Sequence, residues 1–374
     1  MSAGEEGEPG QRLEFAVTTS ARSNNAAPAP FPVEITDPCP ATDTARNGVE
    51  RLTLRWLRDP RDLVFLRLTL RFLLTVPPCA VLLFLVPAWL AAVATPIYLA
   101  LLYGVFGGPV MLMVHAVAHR PTFRGPGVVL QGLIRYGLPV FFGISPFAYR
   151  AHHVVMHHNE ENRETDLSST LGHQRCSPAA FTRYYLRFLL FGLPQLAHYL
   201  AWHRHWGTLA LILLGETAYL VAAFLLLRAA PVPAFATMVL PYLLSRFFLM
   251  AGNWAQHAFV DPRAPEDGVR NATVLVNAAQ NRRCFNDGYH AVHHRYRGMH
   301  WADMASHFRA QWPEYAERGV IVFAGIPNQQ VVWWRLMRRD FGYLADHMVD
   351  LGVLPGERAE RIGLLLERTG TGAR

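Results

Sequence analysis

Charge and cysteine are both scarce in this chain, and each shortage narrows what it can be. Only 17% of the 374 residues are charged while 51% are hydrophobic, and the apolar residues are gathered into long runs. That distribution excludes an ordinary soluble domain and gives a membrane protein composition. The four cysteines, Cys39, Cys79, Cys176 and Cys284, are far apart and form no CxxC pair, so neither a disulfide framework nor a structural zinc site is expected. The basic blocks that flank the apolar runs contain arginine and no lysine. With a net charge of +7, they read as the cytosolic borders of membrane spans and not as a nucleic-acid surface. The first 50 residues lack the basic start and apolar core of a secretory signal, and Glu5, Glu6 and Glu8 sit where a transit peptide avoids acids. Residues 1–50 are expected to be a disordered cytosolic tail. No repeat period or low-complexity tract is evident.

Arginines alternate with leucines and aromatics from Arg51 to Arg71, which predicts an amphipathic helix lying on the membrane. Phe72 to Val114 then runs without a charged residue. At ~1.5 Å per residue its helical length of about 65 Å is two crossings of a ~30 Å core. Pro87 and Pro96 place the turn, giving a hairpin of Phe72–Val86 and Ile97–Val114. Gly127 to Phe147 is apolar but broken by glycines, prolines and Arg135, and reads as an interfacial or re-entrant segment. Phe181 to Trp206 reads as a second surface helix. A second hairpin follows, Leu209–Leu227 and Ala234–Met250, with Glu216 in mid-span facing the bundle interior or a cavity. The fold class is therefore all-α: an integral membrane protein with four transmembrane helices in two hairpins, interfacial helices, and a cytosolic histidine-lined cap. The division is 1–50 tail, 51–301 membrane domain, and 302–374 C-terminal helical cap. The run Glu160, Glu161, Glu164, Asp166 reads as a loop, as easily a solvated charge run as a functional one.

Histidine is where the sequence becomes specific. His290, His293 and His294 fall within roughly 100° of one helical face, so their ring nitrogens can converge on one point. His115 and His119 are stacked one turn apart at the end of the second span. His153, His157 and His158 can converge if their helix end loosens, leaving His152 for the surface or a supporting position. Asn253 and His257, four apart, share a face at the end of the fourth span. His198, His203, His205, His300, His307 and His347 repeat no such spacing and read as ordinary polar residues. Nine imidazoles and one amide are too many donors for one metal ion but enough for two, with open positions of the kind iron uses with dioxygen. Glu-x-x-His, the pair of soluble carboxylate di-iron bundles, is absent from the sequence. A metal transporter, with sites near the bilayer midplane among broken helices, fits a set at span ends poorly.

These boxes, H-x3-H, H-x3-H-H and H-x2-H-H in this order between membrane hairpins, resemble the membrane-bound fatty acid desaturases and their hydroxylase relatives over about Arg51 to Trp301. Asn253 and His257 match the asparagine and extra histidine that acyl-CoA desaturases place before the last box. The resemblance implies two irons held by His115, His119, His153, His157, His158, Asn253, His257, His290, His293 and His294. It also implies dioxygen as co-substrate, an acyl chain in a bent tunnel, and no catalytic residue beyond the metal ligands. Desaturation is the leading expectation; hydroxylation, or decarboxylation to a terminal alkene, is the alternative on the same scaffold. No His-Pro-Gly-Gly haem motif occurs, so electrons are expected from a separate ferredoxin or cytochrome b5 type protein. Box two has a doubled His152-His153 start, and Asn286-Asp287-Gly288-Tyr289 before box three matches no one subfamily.

Overall fold

Among the described residues, four helices are long and apolar enough to cross a membrane: Pro60–Leu85, Ala88–His119, Trp206–Ala229 and Pro231–Gln256. The computed structural model describes residues 30–40 and 44–371. It is mostly helical, and the spans expose many large apolar side chains, among them Leu74, Leu85, Trp89, Ile97, Leu214 and Phe224. Outward leucine, isoleucine and phenylalanine are what a lipid-facing surface requires. All four cysteines are free.

The first span begins earlier than the hydropathy pattern predicts. Asp59 caps it by accepting from Arg61 N, and Pro60 takes the first helical position, where its missing N–H costs nothing. The amphipathic helix expected over Arg51–Arg71 is thus two elements, a short helix Gly48–Leu54 and the start of the span itself. Its arginines can enter the span because acids meet them. Arg67 Nε lies 3.0 Å from Glu50 Oε1, and Arg61 pairs with both Asp59 and Asp303. An isolated antiparallel bridge joins Leu57 to Phe123, so the entry of the first span is adjacent to the exit of the second.

The apolar stretch after the second span forms short helical pieces, Val128–Gly132, Leu133–Gly137 and Leu138–Phe142, none long enough to cross. Arg135, the charge that interrupts it, donates to Val117 O (2.6 Å) and Arg120 O (3.1 Å). Those carbonyls are the open C-terminal end of the second span, a favourable place for a cation. Gly143 ends the stretch with φ of +69°, and a Cβ there would lie 2.2 Å from Tyr242 N. Only glycine allows this approach to the fourth span. The helix Pro178–Trp202, 25 residues capped by Ser177, packs against the third and fourth spans.

Two three-residue strands, which a purely helical reading did not anticipate, organise the segment after the fourth span. β1, Val274–Val276, pairs in parallel with β2, Val322–Ala324, in the register Val274↔Val322. Val274 also bridges to Tyr289, so β1 ties the start of the last histidine helix, His290–Arg295, to the C-terminal region. Of the tail expected over residues 1–50, residues 1–29 and 41–43 lie outside the described residues. The part from Phe31 to Pro40 belongs to the fold. Phe31 packs on Phe308 and Trp312, and Asp37 accepts from the Tyr289 hydroxyl at 2.7 Å.

Candidate metal centre

The histidines arrive from four places in the chain and meet as two clusters. His115, His119, His153, His158 and His293 form the first, with one nitrogen from each lying within 4.8 Å of all the others. His157, His257 and His294 form the second on the same criterion. His290 joins the second cluster, its Nε2 being 3.1 Å from both His257 Nε2 and His294 Nε2. Boxes two and three therefore do not each converge on one point, as their helical angles suggested; each divides between the clusters. His290 and His294 stack one turn apart, and His293 faces the other way. In box two the helix widens over Ala151–His157 to the five-residue hydrogen-bond repeat, which brings His153 Nε2 to 3.1 Å from His158 Nε2 and leaves His157 for the second cluster. Such widened turns occur mostly at functional sites.

Within the first cluster, His293 Nε2 lies 2.9 Å from both His115 Nε2 and His158 Nε2. Two nitrogens each ~2.1 Å from one ion and at right angles to it are ~3.0 Å apart, so these spacings suit a shared cation. The protonation state suits it as well. Burial, aided by neighbouring imidazoles, holds His153, His158, His290, His293 and His294 well below the usual histidine range, and burial pushes His257 down to about 3. Neutral rings with free lone pairs are the ligand form of histidine. His119 Nε2 is buried with no hydrogen-bond partner among the described residues, which also fits a metal-facing atom.

Two carboxylates support the rings. Asp166 Oδ2 sits 2.6 Å from His157 Nδ1 and is itself fixed by Asn162 N and the Ser168 hydroxyl. Burial alone would raise the Asp166 carboxyl, but the His157 ring and Ser168 outweigh it and hold it below the usual carboxylate range. Asp287 Oδ1 lies 3.4 Å from His115 Nδ1, and Gln280 Nε2 donates to its other oxygen at 2.8 Å. A carboxylate behind a ring nitrogen fixes tautomer and orientation and raises the basicity of the opposite nitrogen. Neither acid was singled out from sequence. Asp166 was part of a run read as a loop, and Asp287 is next to box three but serves box one, a pairing only the fold creates.

The stretch before box three also finds its reason. Gly288 N donates to Asn281 Oδ1 (2.9 Å) while Asn281 Nδ2 donates to Leu275 O (2.9 Å), and a Cβ at Gly288 would meet both partners at about 2.5 Å. Asn286 Nδ2 donates to Pro38 O and Trp301 O. Together these bonds set the angle at which His290–Arg295 leaves β1.

A cavity of about 670 Å³ borders both clusters, reaching His115, His153, His157 and His290, and its size is that of a small-molecule site. Apolar side chains such as Met111, Leu112, Phe188 and Leu249 line much of it. Glu216 lines it too and accepts from the Ser145 hydroxyl, so the mid-span acid both faces a cavity and has a polar partner. Asn253 is in the cavity wall but its Nδ2 is taken by Ser168 O (2.9 Å) and Tyr184 Oη (2.8 Å). His152 lies against Phe188 and faces the cavity, outside both clusters. His198, His203, His205, His307 and His347 are also outside them. His300, expected to be ordinary, is buried with Nε2 3.1 Å from Asp62 Oδ1.

Two histidine clusters beside span-length apolar helices, opening on one largely apolar cavity, define a candidate metal centre in a helical membrane protein. The family model for fatty acid desaturase matches residues 87–325, well over half of the chain, and the chain belongs to that family. No curated protein and no solved structure matches it.

Proposed function

We propose that the protein is an oxygen-dependent di-iron lipid desaturase that introduces a double bond into an alkyl chain. The observation that carries this reading is the opening of both histidine clusters on one largely apolar cavity. His115, His119, His153, His158 and His293 would hold one iron, and His157, His257, His290 and His294 the other, with Asn253 at the second site's edge. An alkyl methylene offers no acidic proton for side-chain chemistry. Iron bound there would supply the activation of dioxygen, the oxidant; overall, two hydrogens leave the chain and, with two electrons from an external ferredoxin or cytochrome b5 type donor and two protons from solvent, dioxygen becomes two waters.

The chain's own residues do the positioning. The imidazoles hold metal and take no part as acid or base. Asp166 and Asp287 fix ring orientation, and the apolar wall replaces water around the acyl chain, which limits side reactions. The spans read best as two hairpins, Pro60–Leu85 with Ala88–His119 and Trp206–Ala229 with Pro231–Gln256, which would bring both clusters to one face, the cytosolic one, beneath a C-terminal cap over 302–374. Residues 51–301 would then be the membrane domain and 1–50 a cytosolic tail.

Expression in a host lacking the activity, followed by mass spectrometry of its acyl lipids, tests the reading. A chain lighter by two hydrogens is expected. A gain of one oxygen would make the enzyme a hydroxylase, and a loss of carbon a decarboxylase. Asp166→Asn and Asp287→Asn are each expected to weaken metal retention about 10- to 100-fold, measured by competition with a chelator. Unchanged retention in both would mean that these acids do not support ligands.

A further inference from the structure

The cavity opens beside the spans, and their lengths set the level of the opening. A ~30 Å hydrocarbon core takes about 20 residues of helix. A span that enters at Ala88 therefore leaves the core near Gly107, and one that enters at Pro231 leaves it near Met250. Gly104, Phe248, Arg283 and Gln330 line the cavity and are all exposed, so they form its rim. Gly104 and Phe248 lie less than one helical turn short of those exits. The two spans are adjacent here, the Tyr103 and Phe248 rings being 5.5 Å apart. Arg283 is held at the same level, with Nη2 3.4 Å from Gly104 O and Val105 O.

The helix Gln329–Met337 borders this rim and packs against the fourth span. Its Trp333 ring is 5.4 Å from Phe247 and 5.0 Å from Phe181, and a Cβ at Gly252 would be 3.9 Å from Gln330 Nε2. Contact with Phe247 sets the helix beside the end of the hydrocarbon core and not out in the water above it. Its free face suits that level. Gln330, Trp334 and Arg338 are exposed and four residues apart, which aligns them in one stripe, while Val332 and Leu336 are buried behind them. Arg338 Cζ lies 5.6 Å from the centre of the Trp334 ring. An indole beside a guanidinium fits the headgroup layer, where the ring takes the apolar boundary and the cation the phosphate.

A rim at this level is reached from the bilayer. A chain on a soluble thioester carrier would first have to leave water and sink past the headgroups, whereas a chain on a membrane lipid already lies alongside. We propose that the site takes its acyl chain from a phosphate-bearing membrane lipid that moves in sideways at Gly104 and Phe248, with Trp334 seating the neighbouring helix in the headgroup layer and Arg283 holding the lipid phosphate. This rests on the reading of the cavity as the acyl site. The test is photo-labelling of the iron-loaded, oxygen-free, full-length protein in lipid nanodiscs by phosphatidylglycerol with a diazirine on its acyl chain, mapped by peptide mass spectrometry. Labelling of the cavity wall at Met111, Leu112 and Leu249 is read against labelling of the outer surface at Leu214 and Phe224, which any bilayer lipid reaches. Gly104→Trp fills the rim and should fold, since a Cβ at Gly104 meets nothing within 4 Å and an indole suits that depth. It is expected to cut cavity labelling about tenfold and leave outer labelling unchanged. Arg283→Gln should cut cavity labelling about threefold from phosphatidylglycerol but not from a diacylglycerol with the same chain.

Cavity labelling undiminished in Gly104→Trp would overturn sideways entry. So would displacement of the label from the wild-type cavity by octadecanoyl-CoA in preference to unlabelled phosphatidylglycerol, without any variant having to fold. In either case the cavity still holds an acyl chain, so lipid oxidation stands and only the route falls. An Arg283→Gln protein that labels from both lipids as the wild type does would overturn the phosphate contact. A cavity that neither phosphatidylglycerol nor octadecanoyl-CoA enters would remove the acyl-site reading itself.

Discussion

Alanine at His293 is expected to cost the protein its iron and its turnover together, with activity falling about a thousandfold or more and the helical content retained. His293 is the point where the first cluster joins, since its Nε2 is 2.9 Å from nitrogens of both His115 and His158. Those partners come from the second span and from box two, so no neighbouring ring can move in to replace it. Truncation would leave several buried imidazoles facing one another without a common ion, and a metal site short of a ligand loses affinity steeply. His290→Ala and His294→Ala should behave alike through the second cluster. His152→Ala is the control. It comes from a box residue outside both clusters and should keep its full metal content. Metal per protein by plasma mass spectrometry, read beside turnover and circular dichroism, decides the matter, and a His293→Ala protein that keeps both iron and turnover would reject the ligand assignment.

The second large effect is expected at a residue outside both histidine clusters. Gly143→Ala should destabilise the protein by about 4 kcal/mol or more. The new Cβ would stand 2.2 Å from Tyr242 N and 2.3 Å from Tyr242 Cα, and backbone atoms cannot swing aside as a flexible side chain can. The φ of +69° adds strain of its own for a residue with a Cβ. The same contact carries a bond from Arg246 Nη1 to Gly143 O at 2.8 Å, which would be lost if the chains separated. The measurement is the yield of monodisperse protein in detergent and its unfolding temperature. A variant as stable as the wild type would show that this contact tolerates a methyl group.

Much of the candidate site was legible because a metal-ligand set, if these residues form one, constrains residue type and spacing more tightly than packing does. All nine imidazoles singled out from sequence meet in the two clusters, and the apolar runs place four span-length helices. What sequence could not show was how the boxes divide. The nominal angle of 100° per residue sends His153, His157 and His158 toward one point, but the widened turn at Ala151–His157 changes that angle, and nothing in the residue types announces it. The start of the first span was misplaced because hydropathy penalises Arg61 and Arg67, whose charges are met by Asp303 and Glu50, partners distant in sequence. Asp166 and Asp287 were missed for a related reason. A lone acid has meaning only once the fold supplies the ring it faces.

Adjacent residues serve opposite clusters twice over, His157 with His158 and His293 with His294. Successive Cα atoms are ~3.8 Å apart across a peptide bond, so the gap between the clusters is bridged by covalent geometry at two points and does not depend on how far the spans drift in the bilayer. Any pair of cations seated there would be yoked. Breathing of the membrane helices could tilt the pair as a body while leaving its internal spacing nearly constant, and a mutation that empties one seat should disturb the other through a single peptide unit.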